Sequence, residues 1–188
     1  MKTLFRGLAA ALLACVLTAC PETTVNEDFG LKPAVLKAAD WNGSWTPVDE
    51  GDDDAVQFTV ANAAQGLLVL TEPGKKDAKP IEFRIRRASA DSKIKLCFAV
   101  AQERVAKKPG AASLFLMRMA ENGVLFTWGV NHDAVAAAIK AGQLNGSVKS
   151  DKDGAHSHLD STAANYEKLL EPQFWSWSEP TCLKRTKE

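Results

Sequence analysis

The chain has 188 residues, and its 23 basic residues balance 23 acidic ones, so the formal net charge is zero. Residues 1–19 contain Lys2 and Arg6 and no acidic residue, so a chain without them carries a net charge near −2. This balance excludes the strong basic footprint of a nucleic-acid-binding protein. No apolar stretch after residue 20 approaches membrane-spanning length, and the residues from Asp40 onwards suffice for one domain with its own core.

The N-terminus has the three zones of a secretory signal. Lys2 and Arg6 provide a charged start, Leu8 to Leu17 form an apolar run, and small residues lead to Cys20. The apolar run is too short to cross roughly 30 Å of hydrocarbon as a stable helix. We therefore predict that residues 1–19 are a signal peptide that is removed.

The stretch Leu17-Thr18-Ala19-Cys20 resembles the lipobox of bacterial lipoproteins. The resemblance implies cleavage before Cys20 and acylation of its sulfur and its new amino group. Several acyl chains make anchoring permanent, whereas one chain binds only reversibly. Pro21 stands where Asp would favour the inner membrane, so the resemblance favours the outer membrane. The alternative is an ordinary secretory signal cut after Ala19 or nearby, which leaves Cys20 as a plain thiol.

The segment 20–39 is polar and rich in small residues, and it includes Pro21, Gly30 and Pro33. This composition predicts a lipidated, flexible tether, with one or two helical turns between Leu31 and Ala39. Residues 40–188 are then a single β-rich domain.

Alternation of apolar and polar residues predicts half-buried antiparallel strands from Trp41 onwards. The pattern is clearest in 56–60, 81–86 and 93–100, and further strands are expected at 66–71, 113–119 and 124–129. Asn122-Gly123 is a strong hairpin signal between the last two. The closing strand is expected at Pro180 to Arg185.

Two short helices are predicted before that closing strand. Asn131 can cap a helix over His132 to Ala141, and Ser161 or Thr162 can start a second helix that ends before Pro172. A hairpin of 146–150 and 155–159 separates them. The fold class is therefore mainly β, an antiparallel meander of about nine strands that forms a barrel or a two-layer sandwich.

Gly43-Ser44-Trp45 resembles the Gly-x-Trp signature of lipocalins, in which the Trp closes one end of a barrel. The main helix of lipocalins follows the last barrel strand, whereas the helices predicted here precede it. The resemblance therefore implies only a small up-and-down barrel, and no lipocalin pocket residue is carried over.

The cysteines divide by position. Cys15 leaves with the signal and Cys20 is the lipidation site, which leaves Cys97 and Cys182 in a compartment where disulfides persist. We predict a disulfide between them, and the alternative is two separately buried thiols. A metal site would need more ligands than two cysteines supply.

Three further motifs are candidate binding features. The acidic run of Glu50, Asp52, Asp53 and Asp54 is either a solvated loop or a docking surface for a basic partner. In Phe174-Trp175-Ser176-Trp177-Ser178, two-residue spacing predicts that Trp175 and Trp177 face one way, as core residues or as a binding hot spot. His156 and His158 share one side of a strand, but a metal would need a third ligand and the remaining histidine is His132, so no metal or cofactor is expected.

No spacing typical of nucleophilic catalysis or phosphate binding occurs in the chain. We therefore expect a lipoprotein on the periplasmic face of the outer membrane that binds an envelope protein without catalysis. One version is an inhibitor or immunity protein against a cell-wall hydrolase. The alternative is a small barrel that binds an apolar ligand or lipid, and an enzyme is the third option.

Overall fold

The computed structural model describes residues 22–48, 55–75, 78–91, 93–103, 112–151 and 154–186. Eleven strands occur in these ranges: β1 Glu22–Val25, β2 Gly43–Pro47, β3 Val56–Asn62, β4 Leu67–Thr71, β5 Ile81–Arg87, β6 Cys97–Glu103, β7 Ala112–Met119, β8 Val124–Gly129, β9 Gly146–Asp151, β10 Gly154–Leu159 and β11 Thr181–Arg185. The helices are α1 Ala38–Trp41, α2 His132–Lys140 and α3 Ala163–Lys168, and Pro172–Phe174 form a 3₁₀ turn.

Eight strands form a closed antiparallel barrel. Strands β2 to β8 are sequential neighbours, and β11 returns to lie between β8 and β2. The prediction of a mainly β fold with a barrel-forming meander is confirmed. As expected, α2 and α3 precede the last barrel strand.

The strands β1, β10 and β9 extend the sheet beyond the barrel. Near its start β7 pairs with β1, through Thr24 and Ser113, and further along the same edge it pairs with β8, through Gly129 and Phe115. β1 runs parallel to β10, which forms a hairpin with β9. The barrel wall therefore splits at β7, and α2 packs over one face of the extension.

Residues 22–39 are part of this fold, which corrects the predicted flexible tether. Glu22–Val25 pair on both sides as β1, and Phe29 is fully buried with its ring 5.0 Å from that of Tyr166 and 5.5 Å from that of Phe98. Pro33 forms a bridge with Arg86. The short helix also lies later than predicted, at the end of this segment.

Side chains from all eight strands fill the barrel interior. Trp45, Phe58 and Phe83 form successive edge-to-face contacts with centroid separations of 6.0 and 6.3 Å. Trp45 donates its indole N–H to the carbonyl of Trp41 at 2.9 Å, and Trp41 covers the end of the barrel where β2 begins. Trp45 therefore packs inside the barrel, and Trp41 covers its end.

A second core lies outside the barrel wall, between β6 to β8 and the helices. Phe98 and Val100 of β6 point into it, whereas Ala99 and Ala101 point into the barrel. The prediction that β6 has one wet face is therefore wrong. The residues of β6 that face the barrel are small, so the sequence resembled that of a strand with one exposed face although both faces of β6 are buried.

The two predicted helix starts are confirmed. Asn131 accepts a hydrogen bond from the backbone N–H of Ala134 at 3.2 Å, and Thr162 accepts one from that of Asn165 at 3.2 Å. Gly142, just past α2, has a φ of +71°, a conformation that glycine adopts without strain.

Candidate binding surfaces

The outer wall of β8 carries an aromatic stack. Phe126 and Trp128 alternate with the inward-facing Leu125 and Thr127, so both rings point away from the barrel. Their rings are stacked with centroids 6.0 Å apart and planes 16° apart, and Trp177 lies on Trp128 with centroids 4.7 Å apart. The stack therefore runs from Phe126 through Trp128 to Trp177, which lies at the surface.

The turn 176–179 holds Trp177 against β8. Ser176 donates its backbone N–H to the carbonyl of Gly129 at 3.0 Å, and Glu179 donates to that of Ser176 at 3.2 Å. Trp177 is 37% exposed although its turn is fixed to the barrel. Val48, which is 39% exposed, lies on the same outer wall. Its backbone N–H donates to the carbonyl of Cys182 on β11, and Cys182 in turn lies opposite Phe126 on β8.

Two exposed cations flank these apolar side chains. Arg118 lies opposite Phe126 across the β7–β8 pair, and Lys184 lies opposite Val124 across the β8–β11 pair. Residues that are directly opposite in a sheet point to the same face. We call this outer surface the aromatic–basic face, which consists of Val48, Arg118, Phe126, Trp177 and Lys184, with the buried Trp128 beneath Trp177.

Trp175 does not belong to this face, which corrects the prediction that the two tryptophans face one way. Trp175 is 3% exposed, its ring stacks on Phe98 at 6.1 Å, and its N–H donates to the carbonyl of Leu169 at 2.6 Å. Trp175 forms an isolated β-bridge with Val130, and the chain turns after it. The alternation of side chains along a strand therefore does not extend to Trp177. Trp175 is a core residue that cannot contact a partner.

A polar mouth forms the barrel end opposite Trp41. The Glu72 carboxylate is buried and pairs with the Lys75 ammonium, and its oxygens form no other hydrogen bond among the described residues. The Lys79 ammonium lies 3.1 Å from the carboxylate of Glu103, which faces inward opposite Ile81. These four residues, together with the inward-facing Ser113 and Thr127, define the polar mouth.

The predicted acidic run of Glu50, Asp52, Asp53 and Asp54 lies outside the described residues, as do the signal peptide and Cys20. In the sequence, the acidic run falls between the end of β2 and the start of β3.

The three histidines do not converge. Thr23 and Thr24 point to opposite faces of β1; Oγ1 of Thr23 lies 2.9 Å from Nδ1 of His132, and Oγ1 of Thr24 lies 3.1 Å from Nδ1 of His158. His132 is therefore on the other side of the sheet from His156 and His158. No group of three His, Cys, Asp or Glu residues that could hold a metal ion occurs in the described part of the chain. Burial lowers the pKa of His132, and the charge of Asp133 opposes part of that effect.

Cys97 and Cys182, both described, are not joined to each other, which corrects the predicted disulfide. Cys97 packs against the barrel interior from β6, whereas Cys182 lies beside Phe126 on the outer wall of β11, and β7 and β8 separate the two strands. Burial raises the pKa of the Cys97 thiol, and the nearby Arg87 charge partly offsets this. A bond between opposite faces of the wall would need large backbone movement.

Among the described residues, no helix has the length and apolar character needed to cross a membrane. Comparison with known proteins finds no matching family model, no matching curated protein and no matching solved structure. The candidate surfaces are therefore identified by their own chemistry.

Proposed function

We propose that this chain is a lipid-anchored protein of the bacterial envelope, held through Cys20 at the periplasmic face of the outer membrane, which binds another envelope protein without catalysis. The anchor is supported by the likeness of Leu17-Thr18-Ala19-Cys20 to the lipobox. In one concrete version the partner is a cell-wall hydrolase, and this protein is its inhibitor or immunity protein.

The observation that carries the binding role is the filled barrel. Trp45, Phe58 and Phe83 contact one another across the interior, and side chains from every barrel strand pack around them. An apolar ligand at this position would have to displace them, because protein interiors are close-packed. This favours recognition by the protein's surface over carriage of a small apolar ligand inside the described barrel.

The polar mouth is the surface that we assign to the protein partner. Its two ion pairs expose the ammonium groups of Lys75 and Lys79 and keep the carboxylates of Glu72 and Glu103 largely covered, and charged interfaces gain specificity from complementary charge. The acidic residues Asp52, Asp53 and Asp54, which fall in the sequence between β2 and β3, favour a partner with a basic surface.

The test uses the full-length protein in its own cells, crosslinked in the envelope and purified through a C-terminal tag. We compare it with a variant in which Asp52, Asp53 and Asp54 are replaced by Asn. A matched control replaces the exposed Glu121, Asp133 and Glu167 by their amides, which removes equal charge away from the mouth.

We expect one stoichiometric protein partner with the unchanged chain and with the control. The mouth variant should bind the purified partner roughly tenfold more weakly, on the order of 1.4 kcal/mol. If the partner cleaves cell wall, stoichiometric addition of this protein should stop the cleavage. Equal affinity of the mouth and control variants, or a bound small molecule in place of a protein, would contradict the proposal.

A further inference from the structure

The proposed anchor leaves almost no tether between membrane and fold. Glu22, the first residue of β1, is two residues after Cys20, so their α-carbons are at most about 7 Å apart. β1 is fixed by its pairing with β7 and β10 and by the close contact between Thr23 and His132. A lipid on Cys20 would therefore hold the barrel directly against the membrane surface.

The start of β1 lies beside the end of β8. Both strands use the same edge of β7, on which Ser113 pairs with Thr24 and Phe115 pairs with Gly129. The turn that carries Trp177 is hydrogen-bonded to Gly129 through Ser176. Glu22, the first residue of β1, therefore lies close to the end of β8 that carries Trp128 and Trp177.

The aromatic–basic face has the composition that membrane interfaces favour. Trp combines an apolar ring with a polar N–H and is enriched at the level of the lipid headgroups. The exposed Arg118 and Lys184 add attraction to anionic headgroups, and Glu179 in the same turn offsets part of it.

We propose that the aromatic–basic face rests on the lipid surface to which Cys20 is anchored, with Trp177 at the level of the headgroups. This inference depends on the lipid anchor proposed above. Because the anchor is two residues from the fold, the effective concentration of lipid at this face is high, and a weak intrinsic affinity is enough to hold it there.

The experiment uses the full-length protein purified from its own membranes and reconstituted into protein-free vesicles of phosphatidylethanolamine and phosphatidylglycerol. The vesicles are prepared with and without bromine on the acyl chains, because bromine quenches tryptophan fluorescence at short range. Flotation with the vesicles is measured first, so that anchoring is tested separately from docking.

We expect bromine to quench the unchanged protein, and Trp177→Phe to reduce that quenching roughly threefold because the other tryptophans are covered by protein. The matched control adds Val35→Trp to Trp177→Phe. Val35 is 78% exposed beside β4 and β5, across the barrel from β8, and a reporter there should restore no quenching.

Three results would overturn the inference. Flotation with equal quenching of the unchanged protein and Trp177→Phe would contradict docking by this face while leaving the anchor intact, and it would favour a protein occupant. Quenching of the Val35→Trp reporter as strong as that of Trp177 would show no fixed orientation. Failure to float would contradict the anchor itself.

Discussion

The barrel interior and the aromatic–basic face are both built around aromatic side chains on barrel strands, but they differ in what covers them. Trp45, Phe58 and Phe83 are enclosed by the wall on every side. On the outside, Trp128 is buried in the second core beneath Trp177, Phe126 is only partly buried, and Trp177 is itself 37% exposed. A monomeric protein gains stability from the first arrangement, whereas the second arrangement leaves apolar area for another surface.

The sharpest test of this difference uses two tryptophans that only Ser176 separates in the sequence. Trp175→Ala should lower the free energy of unfolding by about 3–5 kcal/mol, because it removes a buried ring and leaves the carbonyl of Leu169 without its donor. Trp177→Ala should cost less than about 1 kcal/mol. Urea denaturation of the two variants measures both values. Equal losses would contradict the division between core and face.

A smaller effect is expected from pH, through His132. Its pKa is lowered in the folded protein, mainly by burial, so protonation favours the unfolded chain. The sign follows from linkage: stability is fully present above the ordinary value of 6.5 and falls as the pH drops from there towards the lowered folded value. Urea midpoints measured from about pH 8 down to about pH 5 test this loss of stability, because histidine titrates in that range.

The variant His132→Gln, which cannot titrate, serves as the control for the pH experiment. It should retain a polar partner for Thr23 and show a flatter dependence of stability on pH. An identical pH dependence in both proteins would assign the effect to other groups.

The smallest expected effect concerns the two cysteines. Because Cys97 and Cys182 lie on opposite faces of the barrel wall, adding a reductant should leave the urea midpoint unchanged. In the folded protein Cys97 should be alkylated more slowly than in the unfolded one, since burial raises its pKa and limits access. A mass two hydrogens short, or a midpoint that drops on reduction, would restore the disulfide.

The sequence was informative wherever local pattern decides structure. Alternation in Ile81 to Arg86 predicted β5, and the Asn131 cap predicted the start of α2. β1 was missed because it is a four-residue polar strand whose partner in β10 is more than a hundred residues away, so nothing local marks it. Composition alone therefore made the segment before Trp41 resemble a linker, although Phe29 is fully buried.

The binding residues were predictable only in part. Trp177 was singled out for its clustering, but the turn that separates it from Trp175 has no strong sequence signal. Phe126 was missed as a surface candidate because alternation shows which residues share a face and not whether another element covers that face, as one covers the neighbouring Trp128. Lys184 joins this face only through the register of β11 with β8, which depends on closure of the barrel, whereas Arg118 lies opposite Phe126 in the β7–β8 hairpin.

The intact mass and the N-terminal residue of the protein isolated from its own envelope test the lipid anchor directly. We expect a chain that begins at Cys20 and carries the mass of acyl groups on that residue. A chain that begins elsewhere, or an unmodified Cys20, would contradict the lipid anchor and with it the docking of the aromatic–basic face on the membrane.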